Sequence, residues 1–217
     1  MMEIVFISGW AVSETIWNSI KGITHPVRFI EWNDLLAGNA SLPSECILAG
    51  WSLGGQLALE LSSLPQVKGL VLISSMCCLA ASENRPGIEP VTCTAIKNML
   101  CRSRQGYLKA FFTRCGARDE QLSRLQEQSD AFSDRELQEG LDVMFSRLVK
   151  PDSSVPAVVI HGTEDGIIPF DCSRYLVSDV LNNSVLVSVD NGCHLLPFTH
   201  PHVIEKAVEE LARSIHP

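Results

Sequence analysis

The stretch Cys46-Ile47-Leu48-Ala49-Gly50-Trp51-Ser52-Leu53-Gly54-Gly55 decides how this chain is read. Its first four residues form a short apolar run suited to a buried strand. After it, Leu57, Ala58, Leu61 and Leu64 share one face of a helix expected over about residues 54–64, closed by Pro65. Between the two stands a G-x-S-x-G, and a strand-to-helix junction is the context that gives this pattern chemical meaning. A residue at the tip of so sharp a turn takes strained backbone angles, and a side chain at Gly50 or Gly54 would collide with its neighbours. The turn lifts the Ser52 hydroxyl out of the sheet. It also aims the first N–H groups of the helix, Leu53 among them, at the group that Ser52 attacks.

Outward from this turn, short apolar runs alternate with helix-like stretches, the pattern of a mostly parallel sheet with helices on both faces. About six strands are expected, at residues 3–7, 27–30, 46–49, 69–74, 155–161 and 184–189, with further helices at 15–21, 171–181 and 202–215. Residues 76–150 contain no convincing strand, but Leu122 and Leu125, then Leu137, Leu141, Phe145 and Leu148, recur at helical spacing. This segment reads as a helical cap, entered irregularly through residues 80–90, and inserted into a single domain whose core is residues 1–75 and 151–217. An insertion after a strand emerges at the carboxyl edge of the sheet, where ligands of open α/β folds bind, so the cap would roof the site.

With 46% hydrophobic and 19% charged residues among 217, the chain has the composition of a packed globular protein, long enough to bury a core without metal or disulfide staples. No apolar run reaches the roughly 20 residues that span a bilayer. The opening MMEIVFISGW lacks a basic segment before its apolar run, which suits a strand better than a secretory leader, and the expected location is the cytoplasm. The 8 Cys are scattered, some inside apolar runs (Cys46, Cys77, Cys78), with no C-x-x-C and no paired His spacing. Reduced, mostly buried thiols are the reading, and neither a metal nor a cofactor is expected. A net charge of -8 speaks against nucleic-acid binding. The charge is unevenly placed: residues 76–150 hold 11 Lys and Arg against 10 Asp and Glu, the rest of the chain 6 against 15. Ordinary amphipathic helices with solvated faces account for this, and so would a docking surface for an acidic partner.

A serine hydroxyl is a weak nucleophile alone and requires a base within reach, itself oriented by a third group. His194 is the candidate base. It follows the last expected strand in Asp190-Asn191-Gly192-Cys193-His194, a turn-rich loop at the carboxyl edge, whereas His25, His200, His202 and His216 stand in helix-entry, loop or terminal contexts. His161 is a closer rival, but it ends a strand just before the loop with the acid and reads as packed or hydrogen-bonded there. Asp165, in Gly162-Thr163-Glu164-Asp165-Gly166-Ile167-Ile168-Pro169, is the candidate acid. Glu164 would point elsewhere in the turn, Asp190 immediately precedes the His loop, and Asp171 reads as a helix cap. The order Ser, Asp, His is that of α/β-hydrolases. The second oxyanion donor is expected from Ser8-Gly9-Trp10-Ala11, where Gly9 permits the bend and Trp10 offers its N–H beside that of Leu53. The Trp10 indole reads either as a core aromatic or as a wall of the acyl pocket.

Gly50-Trp51-Ser52-Leu53-Gly54-Gly55, Ser8-Gly9-Trp10, the Gly162 to Pro169 loop and Cys193-His194-Leu195-Leu196-Pro197-Phe198-Thr199-His200-Pro201 together resemble the pimeloyl-[acyl-carrier protein] methyl ester esterases of biotin synthesis, the BioH type. The resemblance covers the core at both ends. In the cap it extends only to length and helicity. It implies an α/β-hydrolase fold, a Ser52, His194 and Asp165 triad, Trp10 and Leu53 as oxyanion donors, and Phe111 or Phe112 with Trp10 and Leu195 against the substrate. The implied partner is an acidic acyl-carrier protein, which Arg102, Arg104, Arg114, Arg118 and Arg124 of the cap would steer, and the chain itself is expected to be a monomer. The chain departs from the pattern in two places: the usual first two strands are missing, since the oxyanion loop arrives at residue 8, and Ser8-Gly9 stands where the family often writes His-Gly. Two other readings remain open, a small-ester carboxylesterase or acyl thioesterase on the same scaffold, and a non-catalytic ligand-binding protein that keeps the fold.

Overall fold

A computed structural model describes residues 2–215; His216, set aside above as terminal, lies outside them. Six strands form one sheet: β1 (Glu3–Ile7), β2 (Val27–Ile30), β3 (Cys46–Trp51), β4 (Val67–Ile73), β5 (Ala157–Gly162) and β6 (Ser184–Val189). Their order across the sheet is β2-β1-β3-β4-β5-β6, and every neighbouring pair is parallel. All six carboxyl ends therefore lie along one edge. The Ser52 turn after β3, the Asp165 loop after β5 and the His194 loop after β6 all emerge there, next to the loop after β1.

Alternate residues of the central strands enter two different cores. Ile4, Phe6, Ile47, Ala49, Val71, Ile73 and Ile160 pack on one face, and Val5, Ile7, Leu48, Leu70, Leu72 and Val159 on the other. A sheet covered on both sides needs apolar residues at every buried position, which is why β3, and β4 from Gly69 onward, read as unbroken apolar runs and not as alternation. Burying each such side chain contributes about 1.5–3 kcal/mol. Helix α9 (Pro201–Ile215), which follows the short α8 (Leu196–Thr199), covers the first face through Ile204, Val208 and Leu211, while Ala58 and Leu59 of α2 (Leu53–Glu60) serve the second. A short helix, α1 (Trp32–Leu36), follows β2 and was not anticipated.

Two helices differ from expectation for local reasons. The helix expected at 15–21 is a single 3-10 turn, Glu14–Trp17, because the Glu205 carboxylate on α9 takes the N–H groups of Lys21 and Gly22 that further helix would have used. The helix expected at 171–181 is α7 (Phe170–Tyr175) followed by one π turn, Leu176–Val180. That widened turn closes with Leu181 N donating to Leu176 O, and it buries both leucines.

Between β4 and β5 the chain runs through α3 (Pro90–Arg102), α4 (Arg104–Cys115), α5 (Asp119–Ser129) and α6 (Asp134–Ser146). Helix α6 starts at a capping box in which Ser133 and Glu136 exchange bonds. The segment leading into α3 is irregular, crossed by isolated bridges between Ala80 and Ile88 and between Ser82 and Arg85. The cysteines are free thiols, six of them buried, with Cys101 exposed and Cys193 between the two extremes. Among the described residues, no helix is long and apolar enough to cross a membrane.

Candidate active site

Ser52 sits between β3 and α2 with φ 57° and ψ -119°, a conformation rare for any residue with a side chain. The turn is held from three sides: Ser52 N donates to Ile73 O, Gly55 N donates to Ser52 O, and the Ser75 hydroxyl also donates to Ser52 O at 2.9 Å. The flanking glycines are required by contact. A Cβ on Gly54 would lie 2.3 Å from Ile7 O and 2.5 Å from Ser8 O, and one on Gly50 would lie 2.3 Å from Gly54 O. Helix α2 is thus pressed against the end of β1, where the first loop of the site begins.

His194 Nε2 lies 3.1 Å from Ser52 Oγ, and His194 Nδ1 lies 2.7 Å from Asp165 Oδ2. The side chains of His194 and Asp165 are both 0% exposed. Nδ1 faces a carboxylate, so it carries the ring proton, leaving Nε2 as acceptor toward the Ser52 hydroxyl. The other carboxylate oxygen, Oδ1, accepts from Ile167 N at 2.8 Å and Ile168 N at 2.9 Å. Burial pushes the Asp165 carboxyl up, but the neighbouring charges and donors of His194 and His161 outweigh it and hold the group well below the ordinary carboxylate range. The loops carrying Asp165 and His194 are laced together: Glu164 N donates to Gly192 O and Asn191 N to Thr163 Oγ1, each at 2.9 Å. A Cβ on Gly162 would lie 2.2 Å from Gly192 O, so that crossing needs a glycine. Trp51 adds a tie that sequence reading did not assign, its indole donating to His194 O at 2.8 Å.

The N–H groups of Trp10 and Leu53 have no protein acceptor among the described residues, a condition for serving as oxyanion donors. Just beyond Trp10, Ala11 takes a positive φ of 61°. The Trp10 indole leaves this loop and donates to Leu137 O on α6 at 2.8 Å, joining the loop to the inserted helices. Ser52 opens into a cavity of about 260 Å³. Its walls are mostly apolar: Trp10 and Phe111 meet edge to face at 5.1 Å, and Ile96 of α3 and Leu141, Met144 and Phe145 of α6 add to them. A more polar cleft of about 370 Å³, between the Glu14–Trp17 turn and α5, contains none of these residues.

The sequence profile of the alpha/beta hydrolase family matches residues 4–207. This chain belongs to the alpha/beta hydrolase family. Among curated relatives of this hydrolase, the pimeloyl-[acyl-carrier protein] methyl ester esterase of Yersinia enterocolitica is 25% identical, the alignment covering 97% of this chain and 93% of that one. The Serratia marcescens protein of the same name is 26% identical over 95% and 92%. Two solved structures share the fold: a bromoperoxidase from Bacillus anthracis, with TM-score 0.82 and 20% identity over 98% of this chain and 92% of that one, and an esterase from Exiguobacterium antarcticum, with TM-score 0.80 and 17% identity over 100% and 92%.

Other residues singled out from the sequence of this alpha/beta hydrolase are placed more variously. Phe111 lines the cavity. Phe112, one residue and about 100° further round α4, points into the core and is 0% exposed. Leu195 is also fully buried, and neither it nor Phe112 is among the cavity residues. Glu164, Asp171 and Asp190 are exposed, and His202 lies at the surface. His25 lies against Glu209. Of the basic residues on the inserted helices, Arg104 is tied to Asp134 and to the carbonyls of Ser129 and Phe132, and Arg118 to those of Thr113 and Ala117. Arg124 pairs with Glu120 in a neighbouring turn, Arg102 is exposed, and Arg114 reaches Gly166 O from the cavity rim. Tyr107, Ile96 and Met144 line the cavity without having been singled out; only the three-dimensional packing of α3, α4 and α6 selects them. Among the described residues, no group of three or more His, Cys, Asp or Glu is placed to hold a metal ion.

Proposed function

We propose that this protein is a serine carboxylic ester hydrolase, and that its substrate is the methyl ester of a pimeloyl chain held on acyl-carrier protein. The observation carrying the first part is the unbroken line from Asp165 through His194 to Ser52, at 2.7 and 3.1 Å, at the mouth of an apolar cavity. The second part is supported by relatives of that printed activity that match nearly the whole chain. In this reading residues 76–150 act as a cap over a core of residues 1–75 and 151–217.

The chemistry proceeds in two halves. Ser52 Oγ attacks the ester carbonyl carbon while His194 Nε2 takes its proton, and the negative oxygen that forms faces the N–H groups of Leu53 and Trp10. Each such donor is worth about 3 kcal/mol of barrier. The tetrahedral intermediate collapses, His194 gives its proton to the departing methanol, and an acyl-Ser52 ester remains. Water then attacks that ester with His194 again taking a proton, and the acid leaves as Ser52 recovers its hydrogen. Asp165 holds the imidazole in the tautomer this requires and stabilises its protonated form. Trp10 and Phe111 flank the acyl chain.

The test compares methanol release from methyl pimeloyl carrier protein with release from free methyl esters of several chain lengths, for wild type and Ser52→Ala. The expected result is preferred turnover of the carrier-bound ester and a loss of about 10³-fold or more in the variant. Equal turnover of the carrier-bound ester and a short free ester would remove the substrate assignment. An undiminished Ser52→Ala enzyme would remove the activity.

A further inference from the structure

One buried histidine has no part in these steps. His161 ends β5 with its side chain 0% exposed, and Phe170 stands edge-on against its ring at 5.6 Å. Its Nδ1 lies 2.5 Å from Ser173 Oγ. Its Nε2 bonds to Ile168 O at 3.0 Å and lies 3.3 Å from Asp165 Oδ2, the same oxygen that His194 approaches from the other side. A carbonyl and a carboxylate can only accept, so the proton of neutral His161 sits on Nε2. Nδ1 is then a lone pair, and the Ser173 hydroxyl donates to it.

We propose that His161 is a positioning residue for the ester hydrolysis: its Nε2–H holds the acid loop through Ile168 and shares Asp165 Oδ2 with His194, moderating the negative charge that Asp165 offers the base. The inference rests on the triad reading above. Removing that N–H should leave the carboxylate seated, because the amides of Ile167 and Ile168 hold its other oxygen. The change falls on Oδ2, which becomes a stronger partner for protonated His194. A base better stabilised in its protonated form has a higher pKa, so the acid limb of the pH profile moves to higher pH. The other titratable groups around the pair are Cys193 beside His194, Cys115 and Arg114 on α4, and Cys172 and Asp171 on α7. Burial pushes the Cys115 thiol up and that of Cys172 to about 12, so both stay neutral. Arg114 and Asp171 are exposed.

His161→Phe keeps a ring against Phe170 and loses both nitrogens, whereas His161→Gln restores an N–H at similar reach. With an activated ester, His161→Phe is expected to raise the acid-limb midpoint of kcat/KM by about half to one pH unit. In the same variant KM stays little changed, because His161 does not line the cavity. The midpoint should return toward wild type in His161→Gln. An unmoved midpoint in a folded His161→Phe protein, or equal shifts in both variants, would overturn the proposal. If His161→Phe does not fold, nitrogen NMR of histidine-labelled wild type decides: an Nε2–H signal with unprotonated Nδ1 supports it, and an Nδ1–H tautomer overturns it. Ser52→Ala separates the two levels. An active Ser52→Ala protein removes the triad reading itself, while an inactive one beside an unmoved His161→Phe midpoint removes only the role of His161.

Discussion

Asp165 concentrates the physics of the site in one side chain. Its carboxylate is out of water yet faces two amides and two imidazoles, and the sum of these contacts holds it ionised. Asp165→Asn keeps the shape but presents an amide where His194 needs an acceptor, so kcat is expected to fall about 10⁴-fold in a steady-state assay. The same residue links pH to stability. A carboxyl whose folded pKa is depressed contributes stability above its unfolded pKa of about 3.9, lost as pH falls through the lower folded value. The lead in melting temperature of wild type over Asp165→Asn should therefore shrink as pH falls below about 4; a lead that goes on growing there would contradict the assignment. The short turns that carry Ser52, Asp165 and His194 were legible individually, each by its own signature, and the structure brings the three side chains together. The contact of His161 with the acid was not, since it depends on how the loop after β5 folds back over the strand end.

Among the elements, the junction of β1, β3 and α2 sets the geometry. Gly54 permits α2 to touch the backbone at the end of β1, and the obstructing atoms, Ile7 O and Ser8 O, are main-chain atoms of that strand end and of the loop leaving it. Gly54→Ala is expected to cost at least about 2 kcal/mol in urea unfolding and to lower activity more than stability alone would explain, because the displaced loop carries Trp10. Unchanged stability and activity would mean that this contact is not tight. The G-x-S-x-G spacing made the junction visible in sequence. What remained hidden was the direction taken by side chains of the inserted helices: periodicity places Phe111 and Phe112 on adjacent faces of α4, but only packing against Trp10 decides which faces the cavity. Likewise the helix expected after residue 15 was shortened by Glu205, a partner 184 positions away in the chain from Lys21.

For the whole molecule, six parallel strands bring four loops to one edge, and in the proposed reading the chemistry lies on those loops and substrate selection in the helices between β4 and β5. The net charge of -8 would repel an acidic carrier. Any attraction must come from the locally basic inserted helices, and several of their arginines are already engaged by carbonyls or carboxylates. If the carrier docks there, raising salt from 50 to 500 mM should lower kcat/KM for the carrier-bound ester several-fold while leaving a small free ester unaffected; identical salt responses would place the carrier elsewhere. Charge counting showed where such a surface could lie, but not which side chains were already paired. The central claim concerns Ser52 itself, and labelling tests it most directly. The intact protein is treated with a serine-reactive phosphonate and the adduct located by peptide mass spectrometry. One adduct on Ser52 is expected, absent in Ser52→Ala and formed at least about 100-fold more slowly in His194→Ala; an adduct on another residue, or one indifferent to His194, would contradict the account.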